Sequence, residues 1–130
     1  MAKQRGFSMI ISRTLVISSE TDTAARLSQL MDENDIGAVL ILKGEKIVGI
    51  VSERDIVRRV VAKGLSPAKI KARDFMTKEV HSARFEDGLD SIYQTLCHAK
   101  FRHLPILYKG KLLGIVSQRD VLYGLKAKKK

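Results

Sequence analysis

Apolar and polar positions along the chain follow two alternating rhythms, and the switch between them occurs twice. Short apolar runs from Ile36 to Leu42 and from Lys46 to Ser52 flank the polar turn Lys43-Gly44-Glu45. Phe101 to Leu107 and Lys111 to Ser117 repeat that layout around Tyr108-Lys109-Gly110. Apolar runs of this length joined by a glycine-bearing turn predict β-hairpins. Ahead of each hairpin the spacing changes to three and four residues: Ala24, Leu27, Leu30, Met31 and Asn34 follow Asp22 and Thr23, and Leu89, Ile92, Tyr93 and Leu96 follow Asp87 and Gly88. That spacing predicts a helix with one inward face. A short strand around Thr14 to Ile17 and another around Val80 to Ser82 precede the helices, and an amphipathic helix follows each hairpin. The unit is strand, helix, strand, strand, helix, used twice, and Gly64 and Pro67 in the stretch 62–68 mark the joint between copies.

The two copies share sequence as well as rhythm. Gly49-Ile50-Val51-Ser52-Glu53-Arg54-Asp55 returns as Gly114-Ile115-Val116-Ser117-Gln118-Arg119-Asp120, an offset of 65 residues. The same offset carries Ile36–Leu42 onto Phe101–Leu107 without a gap. A polar step repeated at a strand-to-helix junction implies two equivalent pockets. Pro105, which has no amide to give to a ladder, belongs at an edge or at an irregular backbone site; the first copy has Leu40 there.

Composition narrows the classes. A chain of 130 residues, 45% hydrophobic, suits one compact unit, whereas half of it alone would be marginal. Ile36 to Leu42 is the longest uninterrupted apolar-plus-glycine run, far below the roughly 20 residues of a membrane span, and no signal-type stretch opens the chain, so a soluble cytoplasmic protein is expected. Cys97 stands alone, which excludes a disulfide framework and suits a reducing compartment, with a core packing role as its simplest reading. The net charge of +10 is concentrated in the tails, since residues 7–125 carry 18 basic and 14 acidic groups. The lysine tail at 126–130 therefore reads as a solvated terminus with weak, salt-sensitive attraction for polyanions, and a nucleic-acid partner is not expected. His81, Cys97, His98 and His103 have no spacing that suits a metal, and no nucleophile, base and orienting group recur together, so neither a metal site nor an enzyme is expected.

The doubled Gly-Ile-Val-Ser-x-Arg-Asp step, Asp74-Phe75-Met76-Thr77 at the entry to the second copy, and Phe101-Arg102-His103-Leu104-Pro105 resemble a tandem pair of CBS domains, the cystathionine-β-synthase-type module, in its stand-alone bacterial form. The resemblance spans about residues 8–125, with repeats at 8–62 and 74–125 and a linker at 63–73. It implies an α/β (α+β) fold in which two β-α-β-β-α repeats pack about a pseudo-twofold axis, with two clefts between them that commonly take adenosine-containing ligands, and it implies a homodimer. In the first copy Met9-Ile10-Ile11-Ser12 stands where Asp74–Thr77 stands in the second, so the first entry is less regular.

The chemistry of the repeated step suits such a ligand. A carboxylate at the mouth of a helix can accept both ribose hydroxyls through charge-assisted bonds worth roughly 1.5 to 3 kcal/mol each. The resemblance gives that role to Asp55 and Asp120 and the phosphate side to Ser52 and Ser117, with Arg54 and Arg119 as cations. The resemblance puts His103 where family members often present a basic residue towards phosphate, and a histidine there would make the contact pH-dependent; its counterpart is Ala38, so the two pockets should differ. Adenine is expected against Val39 or Leu104, with Ile17 and Ser82 nearby. Ser-x-x-Asp at a helix start is also a capping box that needs no ligand, and both readings stand at this level.

The expected function is a regulatory sensor of AMP, ADP or ATP acting through conformation or assembly on a separate regulated protein, with no cofactor required. NAD and S-adenosylmethionine are alternative ligands, and a ligand-free dimerisation protein is the rival from another class.

Overall fold

The computed structural model describes residues 16–99 and 102–128, and within them the strand-helix-strand-strand-helix order occurs twice. Parts of the expected first entry segment and first strand at 8–15, the start of the second copy's first hairpin run at 101, and the tail at 129–130 lie outside the described residues. The chain divides into two compact units, one formed by Val16–Val80 and the other holding the described residues from His81 onward.

The first unit opens with β1 (Ile17–Ser19), followed by α1 (Ala24–Asn34), β2 (Ala38–Lys43) and β3 (Lys46–Ser52). The sheet order is β1-β2-β3, with β1 parallel to β2 across the α1 crossover and β2 antiparallel to β3. Thr23 caps α1 by accepting from the Arg26 amide at 3.2 Å, and Asp35 ends it in the left-handed region at φ 52°. There the Ile36 amide bonds the Met31 carbonyl at 3.0 Å, closing the last turn. Leu27 and Met31 of α1 pack on Val39, Ile41 and Val51 of the sheet, each fully buried aliphatic contributing about 1.5 to 3 kcal/mol.

After β3, α2 (Glu53–Asp55) runs on as a π-type helix over Ile56–Val61, closed by Ala62 N–H bonding the Val57 carbonyl at 2.8 Å. The chain then returns to the unit it came from. The Ala24 and Ala25 amides, orphans at the start of α1, are met by the carbonyls of Ile70 and Pro67, each at 2.9 Å. The short α3 (Ala72–Phe75) sends Ala72 and Phe75 into the same core, followed by Met76, and Thr77 pairs with Ile50 through two backbone bonds of 3.0 Å. A methyl group on Gly49 would overlap the Met76 side chain and sit 3.2 Å from the Thr77 carbonyl, so glycine is what lets this segment lie against β3. The compact unit runs on to Val80, because the stretch from Pro67 to Thr77 is stitched to α1 and β3.

The second unit repeats the plan with β4 (Ala83–Arg84), α4 (Leu89–Ala99), β5 (His103–Tyr108), β6 (Lys111–Ser117) and α5 (Gln118–Lys128), in sheet order β4-β5-β6. The hairpin turn Lys109-Gly110 has positive φ at both residues, 50° and 79°, as a type I′ turn requires. Both hairpins carry a register shift at the same place, between Ile41 and Leu42 and between Ile106 and Leu107. Leu89, Ile92 and Leu96 pack on Leu104, Ile106, Val116 and Val121. The tail lysines Lys126 and Lys128 belong to α5 and are not detached from the fold.

Both first strands start later than expected, β1 at Ile17 and β4 at Ala83, and Pro105 accounts for the one residue by which β4 trails the 65-residue offset. In the first unit the Leu40 amide bonds the Val16 carbonyl at 3.4 Å and Ile17 pairs with Leu40. Pro105 occupies Leu40's place without an amide, so pairing starts only at Ala83 with Ile106. Pro105 is on the central strand of its sheet, past the end of β4.

Candidate functional site

β3 and β6 end on the two serines, and the strand-to-helix step after each is built the same way. Ser52 lies across from Ala38, and Ser117 across from His103. At the first step Asp55 Oδ2 accepts from the Ser52 amide at 2.9 Å and from its hydroxyl at 3.1 Å, while the Asp55 amide donates to Ser52 Oγ at 3.2 Å. At the second, Asp120 Oδ2 accepts from the Ser117 amide at 3.0 Å and the Asp120 amide donates to Ser117 Oγ at 3.1 Å. These are reciprocal capping bonds worth about 1 kcal/mol per cap. Both carboxylates are half-buried at the junction of sheet and helix.

The first step draws in two residues that were not expected at the site. Thr77 Oγ1 lies 3.4 Å from Asp55 Oδ1 and 3.5 Å from Oδ2. Arg59 sets its Nε 3.7 Å from Asp55 Oδ1 and donates through Nη1 to the Phe75 carbonyl at 3.0 Å. The exposure of Arg59 limits that ion pair to about 0.2 to 1 kcal/mol. Thr77 and Arg59 therefore fasten the returning segment to the carboxylate. The sequence signal for Thr77 is its place in the Asp74–Thr77 entry motif, 22 residues from Asp55; for Arg59 there is only the i,i+4 spacing from Asp55. At the helix mouth the Glu53 amide bonds the Gly37 carbonyl at 3.0 Å, so the backbone donors of Glu53 and Asp55 both have protein partners.

The structure thus brings Ser52 to Asp55 and brings Ser117 to both Asp120 and His103. Arg54 and Arg119 are exposed, each one residue before its aspartate. The apolar expectations need correction. Val39 and Leu104 are fully buried in the two cores, so an adenine ring cannot rest on their side chains. Their neighbours Ala38, Leu40, Pro105 and Ile106 are buried as well, and strands buried on both faces hide the alternation from which an outward residue would be picked. Ile17 is 49% exposed on β1, and Ser82 is exposed just before β4. Cys97 also differs from its expected core role: it lies on the exposed side of α4, where Gln118 Nε2 donates to Sγ at 3.1 Å. Among the described residues no group of three or more His, Cys, Asp or Glu side chains is placed to hold a metal ion, and no helix is long and apolar enough to cross a membrane.

Comparison with known proteins matches this architecture. The family model for the CBS domain matches residues 8–62 and 72–127. A solved structure of a CBS-domain protein from Burkholderia ambifaria superposes with a TM-score of 0.85 at 30% identity, covering 94% of each chain. The hexameric CBS-CP12 protein from bloom-forming cyanobacteria superposes at 0.82 with 27% identity, over 94% of this chain and 72% of that one. An uncharacterized protein of Methanopyrus kandleri is 33% identical over 115 residues, 87% of this chain and 59% of its own length. With both repeats matched by the family model and the strand-helix-strand-strand-helix unit built twice, the chain belongs to the CBS-domain family and carries two CBS domains in tandem.

Proposed function

We propose that this CBS pair is a regulatory module that binds an adenine nucleotide, AMP, ADP or ATP, and passes on its presence through a change in conformation or in homodimeric assembly that acts on a separate protein. Asp55 and Asp120 take the ribose hydroxyls, Ser52 and Ser117 face the phosphate side with Arg54 and Arg119, and His103 adds a basic group at the second site that Ala38 denies the first. The observation that carries this reading is the serine-aspartate geometry, formed twice with Oδ2 held by the serine amide at 2.9 and 3.0 Å. Such a carboxylate is fixed before a ligand arrives. At Asp55 the other oxygen is met at longer range by Thr77 and Arg59, and a ribose diol would replace these contacts with shorter ones. A ligand shifts conformation only through different affinity for two states, and the Thr77 contact is one such difference.

The same bonds favour a second reading, a ligand-free interaction protein in which the serines and aspartates are caps and nothing more. Isothermal titration calorimetry separates the two. Saturable heat from AMP, ADP or ATP that is lost in Asp55→Ala and Asp120→Ala supports the sensor; heat only from NAD or S-adenosylmethionine would keep the site and change the ligand. No heat from any of them at about 1 mM, where even a weak complex of roughly −4 kcal/mol is half formed, would leave the interaction protein.

A further inference from the structure

The 65-residue offset that aligns the two repeats also brings out where they differ in charge. Asp35-Ile36-Gly37-Ala38 corresponds to Lys100-Phe101-Arg102-His103, so an acidic entry to the strand in one copy is a basic entry in the other. At the helix start the single change is Glu53 against Gln118. Backbone pairing joins these two differences in the first unit, where the Glu53 amide bonds the Gly37 carbonyl at 3.0 Å and Ala38 lies across from Ser52. Glu53 is exposed and lines a groove with Asp32 and Asp35, with no lysine or arginine among the lining residues, so carboxylates border the first serine-aspartate step. In the second unit Arg102, Gln118 and Arg119 are exposed and His103 lies across from Ser117. Gln118 Nε2 donates there to Cys97 Sγ at 3.1 Å, and Cys97 stands where the first copy has Asp32. Arg58 and Arg59 of the first unit lie further along the helix, and Arg59 is engaged by Asp55 and the Phe75 carbonyl. A carboxylate at a helix start favours the helix itself, but Gln118 opens the corresponding helix without one at that position, so helix formation does not demand Glu53.

We propose that the two steps discriminate between adenine nucleotides by charge. The first, with Glu53 as the excluding group, admits the monophosphate and disfavours ADP and ATP; the second, with Arg102 and no carboxylate at position 118, accepts the whole series. The inference rests on the nucleotide reading of the serine-aspartate steps and adds which members of the series each step prefers. An exposed carboxylate at about 6 to 8 Å from a phosphate changes affinity about two- to threefold for each further ligand charge at low salt. ATP carries about two more negative charges than AMP, so one such carboxylate changes the ratio of ATP to AMP affinity about five- to tenfold.

Calorimetry of the full chain with AMP and with ATP tests this, in EDTA so that no divalent cation masks the triphosphate. Asp120→Asn leaves the first step to be read, and Asp55→Asn the second. The ratio of ATP to AMP affinity is expected to be higher at the second step. Adding Glu53→Gln to Asp120→Asn is expected to raise the ratio about five- to tenfold, and adding Gln118→Glu to Asp55→Asn to lower it as much, with both changes shrinking in about 0.5 M salt. Arg102→Gln in the Asp55→Asn chain is expected to lower the ratio as well, without touching the bond from Gln118 to Cys97. All three positions are exposed, and urea unfolding establishes that each variant folds. Equal ratios at the two steps, or ratios unmoved by these substitutions while binding persists, would overturn the discrimination by charge and leave the nucleotide reading standing. No heat from either nucleotide with the wild-type chain would overturn both.

Discussion

Replacing each aspartate by asparagine separates the two jobs that its carboxylate can do. Asparagine keeps an acceptor oxygen in place for the serine amide, so the 2.9 Å bond at Asp55 and the 3.0 Å bond at Asp120 survive as neutral bonds. What is lost for stability is the charge assistance of the cap, its favourable interaction with the helix start of about 0.3 to 1 kcal/mol, and at Asp55 the Arg59 pair, itself half-exposed. The expected cost is about 1 to 2 kcal/mol for Asp55→Asn and about 1 kcal/mol for Asp120→Asn, read as falls of roughly 0.5 to 1 M in the urea midpoint. A ribose diol loses more, since its acceptor no longer carries charge and the new amide group presents N–H donors to its hydroxyls. Forfeiting about 1.5 to 3 kcal/mol of charge-assisted bonding lowers nucleotide affinity roughly 10- to 150-fold. Calorimetry on the same samples gives the second number. Affinity within twofold of wild type in both variants, alongside the expected fall in urea midpoint, would refute the ribose role and leave the aspartates as caps.

Two further substitutions probe the frame around the site. Gly49→Ala forces a methyl group to 2.8 Å from Met76 Cγ and 3.2 Å from the Thr77 carbonyl, which is pinned by its pairing with Ile50. Overpacking of about 1 to 3 kcal/mol outweighs the 0.4 to 1 kcal/mol gained from a stiffer unfolded chain, so urea unfolding is expected to show a net loss of about 1 to 2 kcal/mol; a stabilised variant would mean that the 71–77 segment is not seated on β3. Leu40→Pro copies Pro105 into the first unit and removes the Leu40 amide bond to Val16. Backbone chemical shifts of Ile17 are expected to lose their strand character while Ser18 keeps it, and unchanged Ile17 shifts would remove Pro105 as the reason β4 starts late.

Where local chemistry decided an element, the sequence alone located it closely. Thr23 at the head of a three-and-four pattern placed α1, and the glycine-bearing turns at Lys43–Glu45 and Tyr108–Gly110 placed both hairpins, while the register shifts within them left no mark in the sequence. The serine-aspartate pairs were legible for the same reason, their partners being three residues apart. What sequence reasoning misplaced depends on distant partners. Pro105 shortened a strand more than 20 residues before it in the chain by withholding one amide. Thr77 reached Asp55 across 22 residues, which put the entry motif of the second repeat against the first unit. The π geometry of Ile56–Val61 left no mark, since its apolar spacing serves an α-helix equally well. Cys97 was misjudged because Leu96, its neighbour on α4, took the inward position.

Capping and the proposed binding at the repeated step would support each other energetically. An unpaired aspartate would have to be ordered and desolvated when a nucleotide arrived, and that cost would come out of the affinity. Here the serine amide and hydroxyl have already fixed Asp55 Oδ2, and folding of the strand-to-helix step has already met that cost. Both copies hold the aspartate through the serine amide, so the differences between the sites arise around it. The first adds Thr77 and Arg59 at Oδ1, contacts that a ribose in the proposed role would displace, while the second sets His103 across from Ser117 where the first has only Ala38. The added basic group at His103 favours the second site. The second site is therefore the one expected to fill first as nucleotide rises, and Asp120→Asn is expected to abolish the tighter of two calorimetric transitions while Asp55→Asn abolishes the weaker. The reverse order would mean that Thr77 and Arg59 assist the ligand instead of competing with it.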